Sequence, residues 1–237
     1  MPPPRSSPLR PEALLLDAGD TLLFLDAVAV TQALAEQGVE LAAARIDGAL
    51  HGAKQRYQAL LTNGGRHEDG WSVLVQALLE LAGLPEPRAR AVLPGLRRAH
   101  DDFYFWRRVP EGLPQALARA LAGGIRLAVV SNSEGKIAHV IERVGLAGYF
   151  ELIVDSHYEG VHKPDPEIFR RALVRLGVAP GRALYAGDIP EVDVLGARAA
   201  GMDSVLVDAF GHYQGSDWPR VGSVVELVDT LLAAAPD

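Results

Sequence analysis

The sequence of 237 residues predicts an α/β protein: a parallel sheet flanked by helices, with an all-helical module inserted after the first strand. Three observations carry that reading. Five short apolar runs are continuous rather than alternating, the pattern of strands buried on both faces. They are Ala13-Leu14-Leu15-Leu16, Leu127-Ala128-Val129-Val130, Leu152-Ile153-Val154, Ala183-Leu184-Tyr185-Ala186 and Val205-Leu206-Val207. From about residue 110 onward, stretches of helical periodicity alternate with these runs, as βα units require. Between the first run and Pro110 the periodicity is helical throughout.

In chain order, residues 1–9 are rich in Pro and Ser and read as a disordered tail. Residues 10–25 and 110–237 form the core, and residues 26–109 the insertion. In the insertion, Ile46, Leu50, Ala53, Tyr57 and Leu60 share one helical stripe. Trp71, Leu74, Val75, Leu78, Leu79 and Ala82 share another, and Val92, Leu93, Leu96, Ala99 and Phe103 a third. Gly64-Gly65 reads as a turn. In the core, Leu113, Leu117, Ala120 and Leu121 precede the second strand, and Ile137, Val140, Ile141 and Val144 follow it. Ile168, Phe169, Ala172, Leu173 and Leu176 form the next stripe, then Val194, Leu195, Ala197 and Ala200.

Composition narrows the function. Lys and Arg number 23 against 30 Asp and Glu, a net charge of −7, which argues against a general nucleic-acid binder because such a protein needs a basic face. The absence of cysteine excludes disulfides, zinc–thiolate sites, Fe–S clusters and cysteine nucleophiles. No apolar run is long enough to span a bilayer, and the Pro-rich start has no apolar signal core, so the expected setting is the cytoplasm, away from membranes.

In open α/β sheets ligands bind beyond the carboxyl ends of the strands. The first run ends in Asp17 and the second in Ser131-Asn132. The loop after the third holds Lys163-Pro164-Asp165-Pro166. The fourth ends in Gly187-Asp188, with Glu191 and Asp193 shortly after. Carboxylates gathered at one rim repel each other unless a hard cation lies between them, and Mg²⁺ prefers such oxygens. A carboxylate is also a competent nucleophile toward phosphorus, a hydroxyl can hold a phosphoryl oxygen, and a lysine can neutralise developing charge.

These residues carry a resemblance. Leu15-Leu16-Asp17-Ala18-Gly19-Asp20-Thr21-Leu22 resembles the first motif of the haloacid dehalogenase-like (HAD) hydrolase superfamily, and Val129-Val130-Ser131-Asn132 its second. Lys163-Pro164-Asp165-Pro166 resembles the third. Gly187-Asp188, with Asp193 and then Gly196-Ala197-Arg198-Ala199-Ala200-Gly201-Met202, resembles the fourth. The resemblance implies a Rossmann-like core with a helical C1-type cap. It also implies a Mg²⁺-dependent hydrolase of a small phosphate ester that works through an aspartyl-phosphate. On that reading Asp17 is nucleophile and metal ligand, and the Gly19 carbonyl and Asp188 are further ligands. Asp193 supports the metal or its water, Ser131 and Asn132 hold the phosphoryl group, and Lys163 orients and neutralises.

One position departs from the pattern. Phosphatases of this family usually carry a second Asp two residues past the nucleophile, as general acid and base; here that residue is Gly19. General acid–base help is worth roughly 10²–10⁴-fold, so its loss matters most for poor leaving groups. Asp20 reads as a turn residue that tolerates a left-handed backbone, with substitution for the missing acid as the other reading. Three alternatives stay open. A 2-haloacid dehalogenase would carry an aromatic residue at that position and need no metal. A phosphonatase-type hydrolase would use a cap lysine, and Lys54 is the sole candidate. A catalytically impaired phospho-ligand binder would need neither.

The remaining candidates read as structural. Ser131-Asn132 can cap a helix beginning near Gly135, and Asp193 can cap the helix through Ala200. His157 and His162 read as loop or packing residues, and Glu191 as solvated. On the cap, Arg56, Arg66, His67, Trp71, Tyr104, Trp106 and Arg107 are positioned to select substrate, with Trp71 and Trp106 better explained by packing. Phe210-Gly211-His212-Tyr213-Gln214 follows the fifth strand and carries no diagnostic pattern.

Overall fold

Each apolar run of the core becomes a strand in a computed structural model that describes residues 10–62 and 70–233. Strands β1 (Ala13–Leu16), β4 (Arg126–Ser131), β5 (Leu152–Asp155), β6 (Ala183–Gly187), β7 (Asp203–Val207) and β8 (Arg220–Val221) form one sheet in the order β5-β4-β1-β6-β7-β8. All of its pairings are parallel. β1 lies inside the sheet with every residue buried, which is why its sequence is unbroken leucine rather than an alternation.

Helices supply the connections of the core except between β7 and β8, which a loop joins. α5 (Leu113–Ala122) leads into β4, α6 (Ile137–Arg143) follows it, and α7 (Ser156–Glu159) and α8 (Pro166–Leu176) join β5 to β6. A single wide helical turn, Pro190–Val194, opens into α9 (Leu195–Ala199) before β7, and α10 (Val224–Ala233) ends the described chain. Under one part of the sheet, Ala13, Leu15, Ala128, Val130 and Tyr185 pack with Ile168, Phe169, Ala172 and Leu173 of α8 and Ala197 of the α9 turn. Two leucines of the expected stripes face water instead: Leu121 near the end of α5 and Leu195 at the start of α9. Ala116 fills the buried position of α5.

The chain divides into two compact units, Met1–Phe24 with Arg108–Asp237, and Leu25–Arg107. The second unit holds α1 (Ala27–Ala35), α2 (Ala43–Thr62), α3 (Gly70–Leu81) and α4 (Glu86–Asp102) around its own apolar core, which includes Val30, Leu34, Ile46, Leu78, Leu79 and Leu96. A two-stranded ribbon, β2 (Phe24–Leu25) and β3 (Trp106–Arg108), marks where the chain leaves and rejoins the sheet-bearing unit. β3 falls within the stretch that the sequence assigns to helix alone, because three residues leave too little pattern to read. Among the described residues, no helix is long and apolar enough to cross a membrane.

Candidate active site

Strand register brings the predicted residues together. Leu16 of β1 pairs with Val129 of β4 on one side and Ala186 of β6 on the other. Residues just past these positions, Asp17, Ser131 and Asp188, therefore emerge side by side at the carboxyl edge. The Asp17 N–H donates to Ala186 O at 2.9 Å, which extends the ladder one residue beyond β1.

Lys163 reaches the same point from the loop ahead of α8. Its Nζ lies 2.5 Å from Asp17 Oδ1, 2.8 Å from Asp193 Oδ1 and 2.9 Å from the Tyr185 hydroxyl, so all three ammonium protons have acceptors. The Lys163 side chain is 2% exposed, that of Asp193 1% and that of Asp17 11%. Asp193 Oδ2 accepts the Ile189 N–H at 2.9 Å. Asp193 therefore works sideways into the cluster, and the α9 turn carries no side-chain cap. Gly187 makes this possible: a Cβ there would stand 2.4 Å from Asp193 Cγ. Gly196 serves similarly on the other flank, where a Cβ would lie 3.0 Å from Pro164 O.

One cation between two carboxylates sets the electrostatics. Burial works against the Lys163 ammonium, but Asp17 and Asp193 outweigh it and hold its pKa well above the ordinary lysine value. Burial pushes the Asp17 carboxyl up. Lys163 opposes that and Asp193 adds to it, so the pKa stays raised. The two shifts agree physically, because the ammonium has two partners while each carboxylate shares one. Burial, reinforced by Asp193 and Asp17, also pushes the Tyr185 phenol well up.

Among the described residues, Asp17, Asp188 and Asp193 each offer an oxygen within 4.8 Å of the others. With Lys163, three carboxylates leave a formal charge of −2. An all-oxygen set of that charge fits a hard divalent cation such as Mg²⁺.

The Asn132 side chain is hydrogen-bonded to the main chain of Lys163. Its Nδ2 donates to Lys163 O at 2.9 Å and its Oδ1 accepts the Lys163 N–H at 2.8 Å, so the carboxamide clasps the lysine's backbone. Neither Ser131 nor Asn132 caps α6, whose N-cap position is Lys136 with no side-chain bond. Asp155 does that work: its Oδ2 accepts the Ile137 N–H at 3.3 Å while Oδ1 accepts that of His157 at 3.0 Å. Ser156, fully buried, accepts the Ser133 N–H at 3.1 Å and braces the loop after β4.

Asp20 adopts φ 50°, the left-handed turn conformation expected of it, and is 1% exposed. Gly19, which forms a bridge with Leu23, precedes it. Glu191, His157 and His162 are exposed. Phe210 is exposed beside Phe24, in a loop where Asp208 accepts the His212 and Tyr213 N–H groups.

The cap candidates that the structure describes are engaged within the cap. Arg56 pairs with Glu80, and Arg107 with Asp26. Tyr104 stacks on His100, and Trp71 and Trp106 pack against the cap's apolar core as their neighbours suggest. Lys54 sits half-buried on α2. Residues 1–9, Gly64, Gly65, Arg66 and His67 lie outside the described residues.

Sequence reasoning missed two residues of this site. Tyr185 reads as filler in an apolar run, although a tyrosine buried in the interior strand of a sheet must find a partner for its hydroxyl. Asp155 stands at a strand end, the place searched for the others, and its signal was there to find.

Comparison with known proteins settles the family. The model of the haloacid dehalogenase-like hydrolases matches residues 11–201. The chain belongs to that family. Haloacid dehalogenase-like hydrolase domain-containing protein 3 of Bos taurus is 35% identical over 82% of this chain and 80% of that protein. Its Mus musculus counterpart is 35% identical over 62% of this chain and 59% of that protein. A phosphoserine phosphatase of Thermus thermophilus is 40% identical over 57% of this chain and 53% of that protein. The chain thus spans little more than half the length of these last two relatives. The fold is shared with the magnesium-bound HAD-hydrolase YfnB of Bacillus subtilis at a TM-score of 0.73 and 21% identity, over 94% of this chain and 99% of that one. As a HAD hydrolase the protein has a Rossmann-like core.

Proposed function

We propose that this HAD hydrolase is a Mg²⁺-dependent phosphohydrolase of small phosphorylated compounds, with Asp17 as nucleophile. The observation that carries the reading is the placement of Asp17: at the end of an interior strand, ion-paired with Lys163 and within 4.8 Å of Asp188 and Asp193 oxygens. The phosphatases among its relatives support it.

Lys163, held by Asp193 and Tyr185, keeps one Asp17 oxygen oriented and its charge balanced. The other Asp17 oxygen attacks phosphorus to form an acyl phosphate, which water then hydrolyses. Ser131 supplies a hydroxyl to the phosphoryl oxygens at the neighbouring strand end. Asn132 acts indirectly, by fixing the backbone of Lys163. Asp17, Asp188, Asp193 and the Gly19 carbonyl would hold Mg²⁺, which when bound supplies Lewis acidity toward the phosphoryl oxygens.

The test is hydrolysis of para-nitrophenyl phosphate. Mg²⁺-stimulated turnover that vanishes in Asp17→Asn is expected. Metal-independent halide release from a 2-haloacid, or turnover that survives the substitution, overturns the reading.

A further inference from the structure

In-line displacement places the leaving group on the far side of phosphorus from the attacking oxygen. Two proton-bearing side chains described around Asp17 in the core unit, those of Lys163 and Tyr185, are engaged on the Asp17 Oδ1 side. The Lys163 ammonium touches Asp17 Oδ1, and its three protons are directed to Asp17, Asp193 and Tyr185. The Tyr185 hydroxyl lies beneath it, fully buried, with Val130 O at 2.9 Å and Asp193 Oδ1 at 3.2 Å as its acceptors. The position two past the nucleophile, where the family resemblance places the general acid, is Gly19 and has no side chain. Asp20 is closed off at 1% exposure and stands outside the group formed by Asp17, Asp188 and Asp193.

We propose that this site expels its leaving group without protonating it. Its substrates are then phosphoryl compounds whose leaving group is stable as an anion: acyl phosphates, phosphoanhydrides and esters of acidic phenols or enols, rather than phosphate esters of simple alcohols. This rests on the Asp17 chemistry proposed above and names its substrate class. In the first step the Asp17 carboxylate forms an O–P bond while the P–O bond to the leaving group breaks, and the electron pair departs with that oxygen. In the second, water adds to phosphorus, its proton passes to solvent, inorganic phosphate leaves and the Asp17 carboxylate is regenerated.

The experiment is kcat/KM across aryl phosphates graded by the acidity of the phenol, with acetyl phosphate and phosphoserine alongside. The wild-type protein is expected to lose at least about 10²-fold from para-nitrophenyl to phenyl phosphate, and to turn over acetyl phosphate at least about 10²-fold better than phosphoserine. Gly19→Asp is expected to flatten that dependence by raising phenyl phosphate more than para-nitrophenyl phosphate. Should the variant fail to fold, the wild-type slope decides alone. A flat dependence, with hydrolysis still abolished in Asp17→Asn, means that an acid reaches the leaving group; it overturns this inference and leaves the phosphatase reading standing. Hydrolysis that survives Asp17→Asn, or none of any member, removes that reading and this inference with it.

Discussion

Two ion pairs, each joining residues distant in sequence, behave as opposites. In the core unit Lys163 lies between Asp17 and Asp193 with side chains 2%, 11% and 1% exposed. In the cap unit Arg107 meets Asp26 at 3.0 Å with side chains 25% and 28% exposed. Water solvates the second pair if either partner is lost, whereas nothing replaces a lost partner in the first. The core arrangement is therefore all-or-none: its charges stay only while every member is present. The cap pair closes the ends of a helical insertion, where Asp26 N–H also donates to Phe105 O at 2.7 Å, and its members act nearly independently.

Lys163→Met tests the core side of that contrast and carries the largest expected effect. It leaves two buried carboxylates without a cation and is expected to cost about 3–5 kcal/mol in denaturant unfolding. Added Mg²⁺ is expected to raise the melting temperature of the variant more than that of the wild type, because the remaining charge is entirely negative. A loss below about 1 kcal/mol, the range of exposed pairs, breaks the contrast.

Tyr185→Phe comes next. It strips the Lys163 ammonium and the Val130 carbonyl of a partner each and is expected to cost about 1–3 kcal/mol. If the hydroxyl acts through Lys163, the cost shrinks by about 0.5 kcal/mol or more in a Lys163→Met background. Equal costs in both backgrounds would mean that Tyr185 serves the β4 carbonyl and Asp193 independently of Lys163. Kinetics sharpen the result: a residue that positions Lys163 without touching substrate lowers kcat and leaves KM nearly unchanged.

Legibility in the sequence follows the same divide. The core strands are readable because each is buried on both faces and so leaves an unbroken apolar run, and reading the residue after each run finds Asp17, Ser131 and Asp188. The same reading brings up Lys163 in the loop after the third run and Asp193 beside Glu191 after the fourth. Only the resemblance singles Asp193 out from its neighbour, since a helical aspartate has no apolar frame to place it. The Asn132 clasp and the Tyr185 hydrogen bonds were not readable, because their partners lie 31 and 22 residues away along the chain and depend on strand order. β2, β3 and β8 are two or three residues long and too short to show a period. Leu121 and Leu195 mislead for a different reason: they flank stripes whose buried arc is narrower than their apolar arc. In the cap, periodicity reports packing faithfully and says nothing of the polar residues, which are solvated on a helix face or paired with one another.

Asp26 supplies the smallest effect and the cleanest pH signature. Its Oδ1 caps α1 by accepting the Ala29 N–H at 3.0 Å, and Oδ2 takes Arg107. Burial pushes the Asp26 carboxyl up, but the Ala29 N–H and Arg107 outweigh it and leave it below the ordinary carboxylate value. A carboxyl depressed in the folded state contributes stability that is present above its unfolded pKa of about 3.9 and is lost as pH falls through the folded value. Asp26→Ala is accordingly expected to cost about 1–2 kcal/mol near neutral pH, with the gap to wild type closing below about pH 4. Asp26→Asn keeps the cap and loses the charge, and Arg107→Met loses the pair alone; each is expected to cost about 0.5 kcal/mol, measured by urea unfolding. If Arg107→Met instead costs as much as Lys163→Met, quarter exposure does not solvate the pair, and the two ion pairs are alike after all.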